Sequence, residues 1–313
     1  MKRTIGLASA LGASFLLFAL MAAGQHVSPP AQTGRLIVTI GHHYGHEPPM
    51  LRAEDILVKT PEYDTLLVTS LVPLKGDRAG LELYIVVDNC SSCEAGTKFQ
   101  ELSRFIASQP ATTSVGIAYI DNGRISIAVT PTLDRARTQK ALNTPAGSKP
   151  ASPFDPLKEL IARWPETTAR RAVLMVTNGV NPSAHEGELD ASAEGAIEAA
   201  QRAGVTVYAL YHPSADYATS DGAKIYDGQV QLAHVARDTG GEAYFIGFGP
   251  LPSVAPFLED VADHLANQYE LLFTETPGKP GGALQEVTVK TKTGDVELMA
   301  PERAWIPAEN RGR

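Results

Sequence analysis

Between residues 82 and 268 two hydrophobic rhythms alternate. The first is the short apolar run, of which Leu83-Tyr84-Ile85-Val86-Val87 is the clearest: it is rich in β-branched side chains and lacks polar alternation, as in a strand buried on both faces. The second is the return of apolar residues every three or four positions. Phe99, Leu102, Phe105 and Ile106, with Lys98, Glu101 and Arg104 between them, predict an amphipathic helix just after that strand. Residues 115–119 and 125–129 flank Asp121-Asn122-Gly123, a hairpin signal because Asn and Gly tolerate positive φ. Further strands are predicted at 173–176, 205–210 and 243–246. Helices are predicted at 193–203, ending at Gly204, at 232–237, stopped by Gly240-Gly241, and at 254–268. Strands alternating with helices predict an α/β fold with helices on both faces of a mostly parallel sheet, the hairpin adding one antiparallel strand.

Outside this region the rhythm is that of β structure. Residues 35–40, 56–59 and 66–69 precede it as short strand candidates, and 269–274, 286–292 and 296–300 follow it. The two groups are expected to join in one small β domain built from both ends of the chain.

Composition places the chain in a compartment. Lys2 and Arg3, an apolar stretch from Ile5 to Met21 and then Ala22-Ala23-Gly24 match a secretory signal with a small-residue cleavage region; an uncleaved N-terminal anchor is the alternative. Export to the periplasm or beyond is expected. Without residues 1–24 the chain has 25 Lys and Arg against 35 Asp and Glu, a formal charge of −10. That balance argues against nucleic acid and anionic lipid as partners, and no membrane contact is expected beyond the N-terminal segment. The chain has no Gly-x-Ser-x-Gly, His-Glu-x-x-His, P-loop or Gly-x-Gly-x-x-Gly, so an enzyme is not expected. His42, His43 and His46 read as loop histidines, with a transition-metal site as the alternative. His185, His212, His234 and His264 show no ligand spacing.

A family resemblance rests on five segments in order. They are the strand ending Val86-Val87-Asp88, the hairpin after the first helix, Val173-Leu174-Met175-Val176-Thr177-Asn178-Gly179, Ala199-Ala200-Gln201-Arg202-Ala203-Gly204-Val205-Thr206-Val207-Tyr208-Ala209, and Thr239-Gly240-Gly241-Glu242-Ala243-Tyr244-Phe245. Together they resemble a von Willebrand factor type A (VWA) domain over roughly residues 80–268. The flanking β segments, 34–76 and 269–307, resemble those of exported bacterial proteins built around such a domain. The resemblance implies a six-stranded sheet in the order 3-2-1-4-5-6. Asp88 and Asn178 are then expected to face one crevice, at the carboxyl ends of the strands where the order reverses.

Members of this family usually hold a divalent cation there, through an Asp-x-Ser-x-Ser loop, a Thr in a second loop and an Asp in a third. Here Asp88 and Ser92 match the outer positions of the first loop, but Cys90 stands in the middle one. Ser152 replaces the Thr and Asn178 the Asp. Mg²⁺ wants about six hard oxygen ligands, for which a sulfur is a poor substitute and an amide a dipole in place of a charge. The expectation is a degenerate metal site with no cofactor, and Mg²⁺ or another divalent cation at Asp88, Ser92 and Ser152 is the alternative.

Cys90 and Cys93, the only cysteines, form one Cys-x-x-Cys between strand and helix. A disulfide is expected, closing a small loop and adding about 2 kcal/mol by chain entropy. Two free thiols and a redox pair are the alternatives. The functional expectation is an exported, non-enzymatic module that binds a protein ligand, with cation-dependent binding or thiol–disulfide exchange as rival functions.

Overall fold

The computed structural model describes residues 33–42, 49–61, 64–88, 96–142, 149, 151–184, 190–213, 222–249, 252–274, 282–294 and 296–306. The signal-like segment 1–24, the side chains of His42, His43 and His46, His185, and Cys90, Ser92 and Cys93 lie outside the described residues.

The chain begins with β1 (Thr33–His42), β2 (Ile56–Lys59), β3 (Thr65–Leu66) and β4 (Val68–Pro73). The α/β region follows as β5 (Leu81–Asp88), α1 (Gly96–Ser108), β6 (Thr113–Asp121), β7 (Arg124–Thr132), α2 (Arg135–Ala141), α3 (Phe154–Arg163) and β8 (Arg170–Thr177). It continues through α4 (Ala191–Ala203), β9 (Val205–Tyr211), α5 (Gly222–Asp238), β10 (Ala243–Tyr244) and α6 (Ala255–Ala266). The last strands are β11 (Gln268–Thr274), β12 (Ala283–Glu286), β13 (Thr288–Thr291), β14 (Val296–Met299) and β15 (Arg303–Ile306).

The main sheet runs β7-β6-β5-β8-β9-β10, with every neighbour pair parallel except β6–β7. Numbered from β5 as the first strand, this is the order 3-2-1-4-5-6. Alternation along β5 explains the helices on both faces. Tyr84 and Val86 pack with Phe154 and Leu157 of α3 and Ala196 of α4, while Leu83, Ile85 and Val87 pack with Leu102 and Phe105 of α1 and Val261 of α6. Each such side chain contributes roughly 1.5–3 kcal/mol when taken fully out of water, so neither face of the strand is left open to solvent. The hairpin turns at Asn122 (φ 49°) and Gly123 (φ 74°), the left-handed pair that a two-residue loop requires.

The end segments build further antiparallel sheets, β14-β1-β11-β4, β13-β2-β3 and β12-β15, around a third core that includes Val38, Ile40, Leu271, Phe273 and Ile306. Helix α6 feeds directly into this part. Ile40 N donates to Asn267 O at 3.0 Å and Leu74 N to Gln268 O at 2.9 Å, which ties the four-stranded sheet to the end of the helix.

Several local expectations change. Residues 66–69 are not one strand: β3 pairs with β2 and β4 with β11, so the chain changes sheet at Leu67, which is exposed. The predicted strand 286–292 is interrupted at Val287, with β12 on β15 and β13 on β2. Strand β10 stops at Tyr244 and leaves Phe245 and Ile246 in a loop. Helices α2 and α3 and strand β15 carried no anticipated signal. Both tryptophans serve packing. Trp164 meets Tyr84 edge-on at 4.7 Å and donates to Glu82, and Trp305 lies under the Arg202 guanidinium at 4.6 Å.

Candidate functional site

Strands β5 and β8 are parallel neighbours in register, Val87 opposite Val176, so Asp88 and Thr177 end side by side. The order of the sheet reverses between them, which opens the crevice of a doubly wound fold. The Thr177 hydroxyl donates to Asp88 Oδ2 at 2.8 Å. Burial pushes the Asp88 carboxyl up to about 6, against the opposing pull of that hydrogen bond. The carboxylate is therefore costly in its charged form.

Asn178 follows directly but turns inward. Its Oδ1 accepts the Val180 N–H at 2.8 Å, an Asx turn, and the residue is buried. Gly179 completes the turn at φ 72°, where a Cβ would stand 2.3 Å from Gly228 O of α5. Ser152 also serves its own turn. Its Oγ accepts the Phe154 N–H at 3.3 Å as α3 begins. Among the described residues no hydrogen bond joins Ser152 or Asn178 to Asp88.

The acidic and amide residues near these loops form a separate latch. Asp190 caps α4 through the Ser192 N–H at 2.9 Å and accepts from Asn181 Nδ2 at 2.9 Å, while Asp155 accepts from the Ser192 hydroxyl at 3.1 Å. They tie the starts of α3 and α4 to the loop after β8. His212, just beyond β9, adds a pair that no spacing announces, since its Nδ1 lies 3.4 Å from Lys98 Nζ in the first turn of α1. Burial and the Lys98 charge hold the imidazole down to about 4, so it is neutral at pH 7.

The strand order, the single antiparallel edge strand and the crevice at the reversal are now together on one sheet. The fold is VWA-like. No protein-family model matches the chain, and no curated protein matches it. Similar solved structures include an aerotolerance-related membrane protein from Bacteroides fragilis NCTC 9343, 16% identical, over 59% of this chain and 98% of that one, with a TM-score of 0.44. A von Willebrand factor type A structure from Catenulispora acidiphila is 12% identical over 91% of this chain and 76% of that one, with a TM-score of 0.43. The pilus adhesin SpaC from Lactobacillus rhamnosus GG is 10% identical over 86% of this chain, with a TM-score of 0.44; the chain spans 49% of the adhesin. The VWA-like assignment stands on the strand order itself. Among the described residues no helix is long and apolar enough to cross a membrane.

The loop after the edge strand β10 is apolar. After β10 the chain exposes Phe245 (39%), Ile246 (63%) and Phe248 (52%) at the carboxyl end of the sheet. The loop is anchored from below, with Gln229 Nε2 donating to Gly247 O at 2.7 Å and the Tyr211 hydroxyl to Phe248 O at 3.4 Å. Sequence reading placed two of these residues in a strand and so missed the patch.

A second group of titratable side chains lies where β10 begins. His264 Nδ1 is 3.9 Å from Glu242, His264 Nε2 is 3.7 Å from Asp260, and the Tyr244 hydroxyl donates to Asp260 at 2.7 Å. Burial, with Asp260 and Glu297 nearby, pushes Glu242 up to about 7. This corrects the reading of His264 as lacking ligand-like spacing. Asp260 and His264 are four apart on one helix, a signal the sequence carried, whereas Glu242 joins them only through the fold.

Proposed function

We propose that the chain is an exported, non-enzymatic protein-interaction module whose VWA-like crevice engages its partner without a metal ion. The observation that carries the proposal is the loop bearing Phe245, Ile246 and Phe248 after the edge strand β10: exposed apolar residues held by backbone anchors at the same, carboxyl, end of the sheet as the crevice. Exposed apolar side chains on an anchored loop favour a protein ligand over a small polar one.

Metal independence is supported by the donor set. Asp88 supplies the one carboxylate among the matched positions. The oxygens of Ser152 and Asn178 each accept a backbone N–H of their own turn. A hard cation would find one carboxylate there and two oxygens already oriented toward their own turns, a poor fit for Mg²⁺. Export rests on the pattern of residues 1–24, and segments 34–76 and 269–307 are assigned as a β appendage to the binding region at 80–268.

The test is affinity capture from the exporting cell's secreted and periplasmic fractions, in Mg²⁺ and in EDTA, with the wild-type protein and with a Phe245→Ser, Ile246→Ser double variant. The expected result is one partner retained in both buffers and lost by the variant. Retention in Mg²⁺ alone would transfer the function to cation-dependent binding through Asp88, Ser92 and Ser152.

A further inference from the structure

Glu242 and Tyr244 are two residues apart where β10 begins, so their side chains share the face of the sheet on which α6 packs. Tyr244 shares a core there with Leu258, Val261 and Leu265. Asp260 and His264 lie four apart on α6 and so stand one above the other on the helix surface. Sheet and helix thereby bring two carboxylates and an imidazole together at the edge of the main sheet, away from the crevice between β5 and β8.

The distances suit a shared cation better than direct contact. His264 Nδ1 stands 3.9 Å from Glu242 and Nε2 stands 3.7 Å from Asp260, both too long for a hydrogen bond. One donor atom from each of the three side chains lies within 4.8 Å of the other two. Ligands of one zinc ion, each at about 2.1 Å from it, stand roughly 3–4 Å apart, so a shift of about 1 Å at the half-exposed carboxylates closes the set. Tyr244 is buried and donates to Asp260 Oδ2 at 2.7 Å, a contact that holds a ligating carboxylate from behind.

Charge points the same way. Among the described residues neither Glu242 nor Asp260 forms an ion pair with a lysine or arginine, and His264 is the one base beside them. Two carboxylates match the charge of a divalent ion. The imidazole narrows the choice, because a nitrogen ligand favours a first-row transition metal such as Zn²⁺, whereas Mg²⁺ and Ca²⁺ take oxygen ligands. Three protein ligands leave a position for water or for a donor from a partner.

We propose that Glu242, Asp260 and His264 bind Zn²⁺ or a similar divalent transition metal, at a site separate from the crevice. Helix α6 carries two of the ligands and leads into β11 of the four-stranded sheet, while Glu242 belongs to the main sheet. The ion therefore pins the helix that links the two sheets. Its binding adds to the stability of the native state by linkage.

The test uses the full chain, stripped of metal with a chelator and then titrated with Zn²⁺. Binding is followed by calorimetry and by thermal unfolding, and crystals soaked in Zn²⁺ are examined for anomalous scattering at the zinc edge. The expected result is a zinc peak bonded to His264, Glu242 and Asp260, with the unfolding equilibrium shifted about 100-fold toward the native state at about 100 times the dissociation constant. His264→Gln should weaken binding about tenfold or more. Glu242→Gln, a change of one atom at a half-exposed position, should also weaken it, and this variant answers the question if His264→Gln fails to fold. Asp88→Asn should leave the zinc affinity unchanged. No binding at about 1 mM Zn²⁺, a zinc peak at Cys90 and Cys93 or elsewhere instead, or an affinity unaltered in the ligand variants would overturn the proposal.

Discussion

The two ends of the main sheet treat polar side chains in opposite ways. At the crevice, Asp88, Ser152 and Asn178 each have a nearby partner: a threonine hydroxyl for the first and backbone N–H groups for the other two. At the joint with the small β sheet, Glu242, Asp260 and His264 crowd together beside β10 and meet one another's side chains. The contrast follows from where the side chains start. Loop residues recruit the free N–H groups of their own turns. Side chains that project from strands into a sheet–sheet joint find backbone groups already committed to ladders. Polar groups at the crevice are met within their own turns, and those at the joint by side chains from other elements.

The largest test of this contrast is at the crevice floor. Gly179→Ala places a Cβ 2.3 Å from Gly228 O and 2.6 Å from Leu232 at a left-handed φ, so urea unfolding should show a loss of about 3 kcal/mol or more. A loss under about 1 kcal/mol would mean that α5 does not press on the loop that aims Asn178.

Asp88→Asn should act in the other direction. The Asp88 carboxyl lies at about 6 in the fold against 3.8 as its ordinary value, so the native state binds its proton more tightly than the unfolded chain does. Its stabilising effect is complete below about pH 3.8 and is lost as pH rises through about 6. The Asn variant, which retains an acceptor for Thr177, should match wild type near pH 3.5 and exceed it by about 1–3 kcal/mol at pH 8. EDTA should leave that difference unchanged. A variant less stable than wild type at pH 8 in Mg²⁺ alone would restore the cation to the crevice.

The smallest effect belongs to the joint. Glu242 lies at about 7 against 4.5, so its contribution is present below about pH 4.5 and fades as pH rises through 7. Its side chain is 46% exposed, and solvent screening reduces the effect to under about 1 kcal/mol. Glu242→Gln should flatten the pH dependence of the melting temperature between pH 5 and 8. An unaltered profile would remove Glu242 from the titrating group.

Much of the α/β region was legible because its signals are local. Leu83 to Val87 read as a doubly buried strand, Asn122-Gly123 as a hairpin turn, and Gly204 as a helix stop, which it is at φ 64°. Asp88 at a strand end was legible for the same reason. The role of Ser152 was not, since a serine that starts a helix and one that binds a cation look alike until the Phe154 N–H is placed. Phe245 and Ile246 misled for a related reason: apolar residues after a glycine pair read as strand, and only the short β10 pairing shows them exposed.

By itself the sequence determined the periodicities, the turn chemistry and, with the family resemblance, the order of the main sheet, because strand, helix and turn preferences act over a few neighbouring residues. The tertiary structure alone decided that Leu67 marks a change of sheet, that Lys98 reaches His212, that Glu242 meets His264, and that Arg170 is buried. Those outcomes depend on which distant strands share an edge and what remains of each side chain's surroundings after the sheets dock. No window of local sequence contains that information.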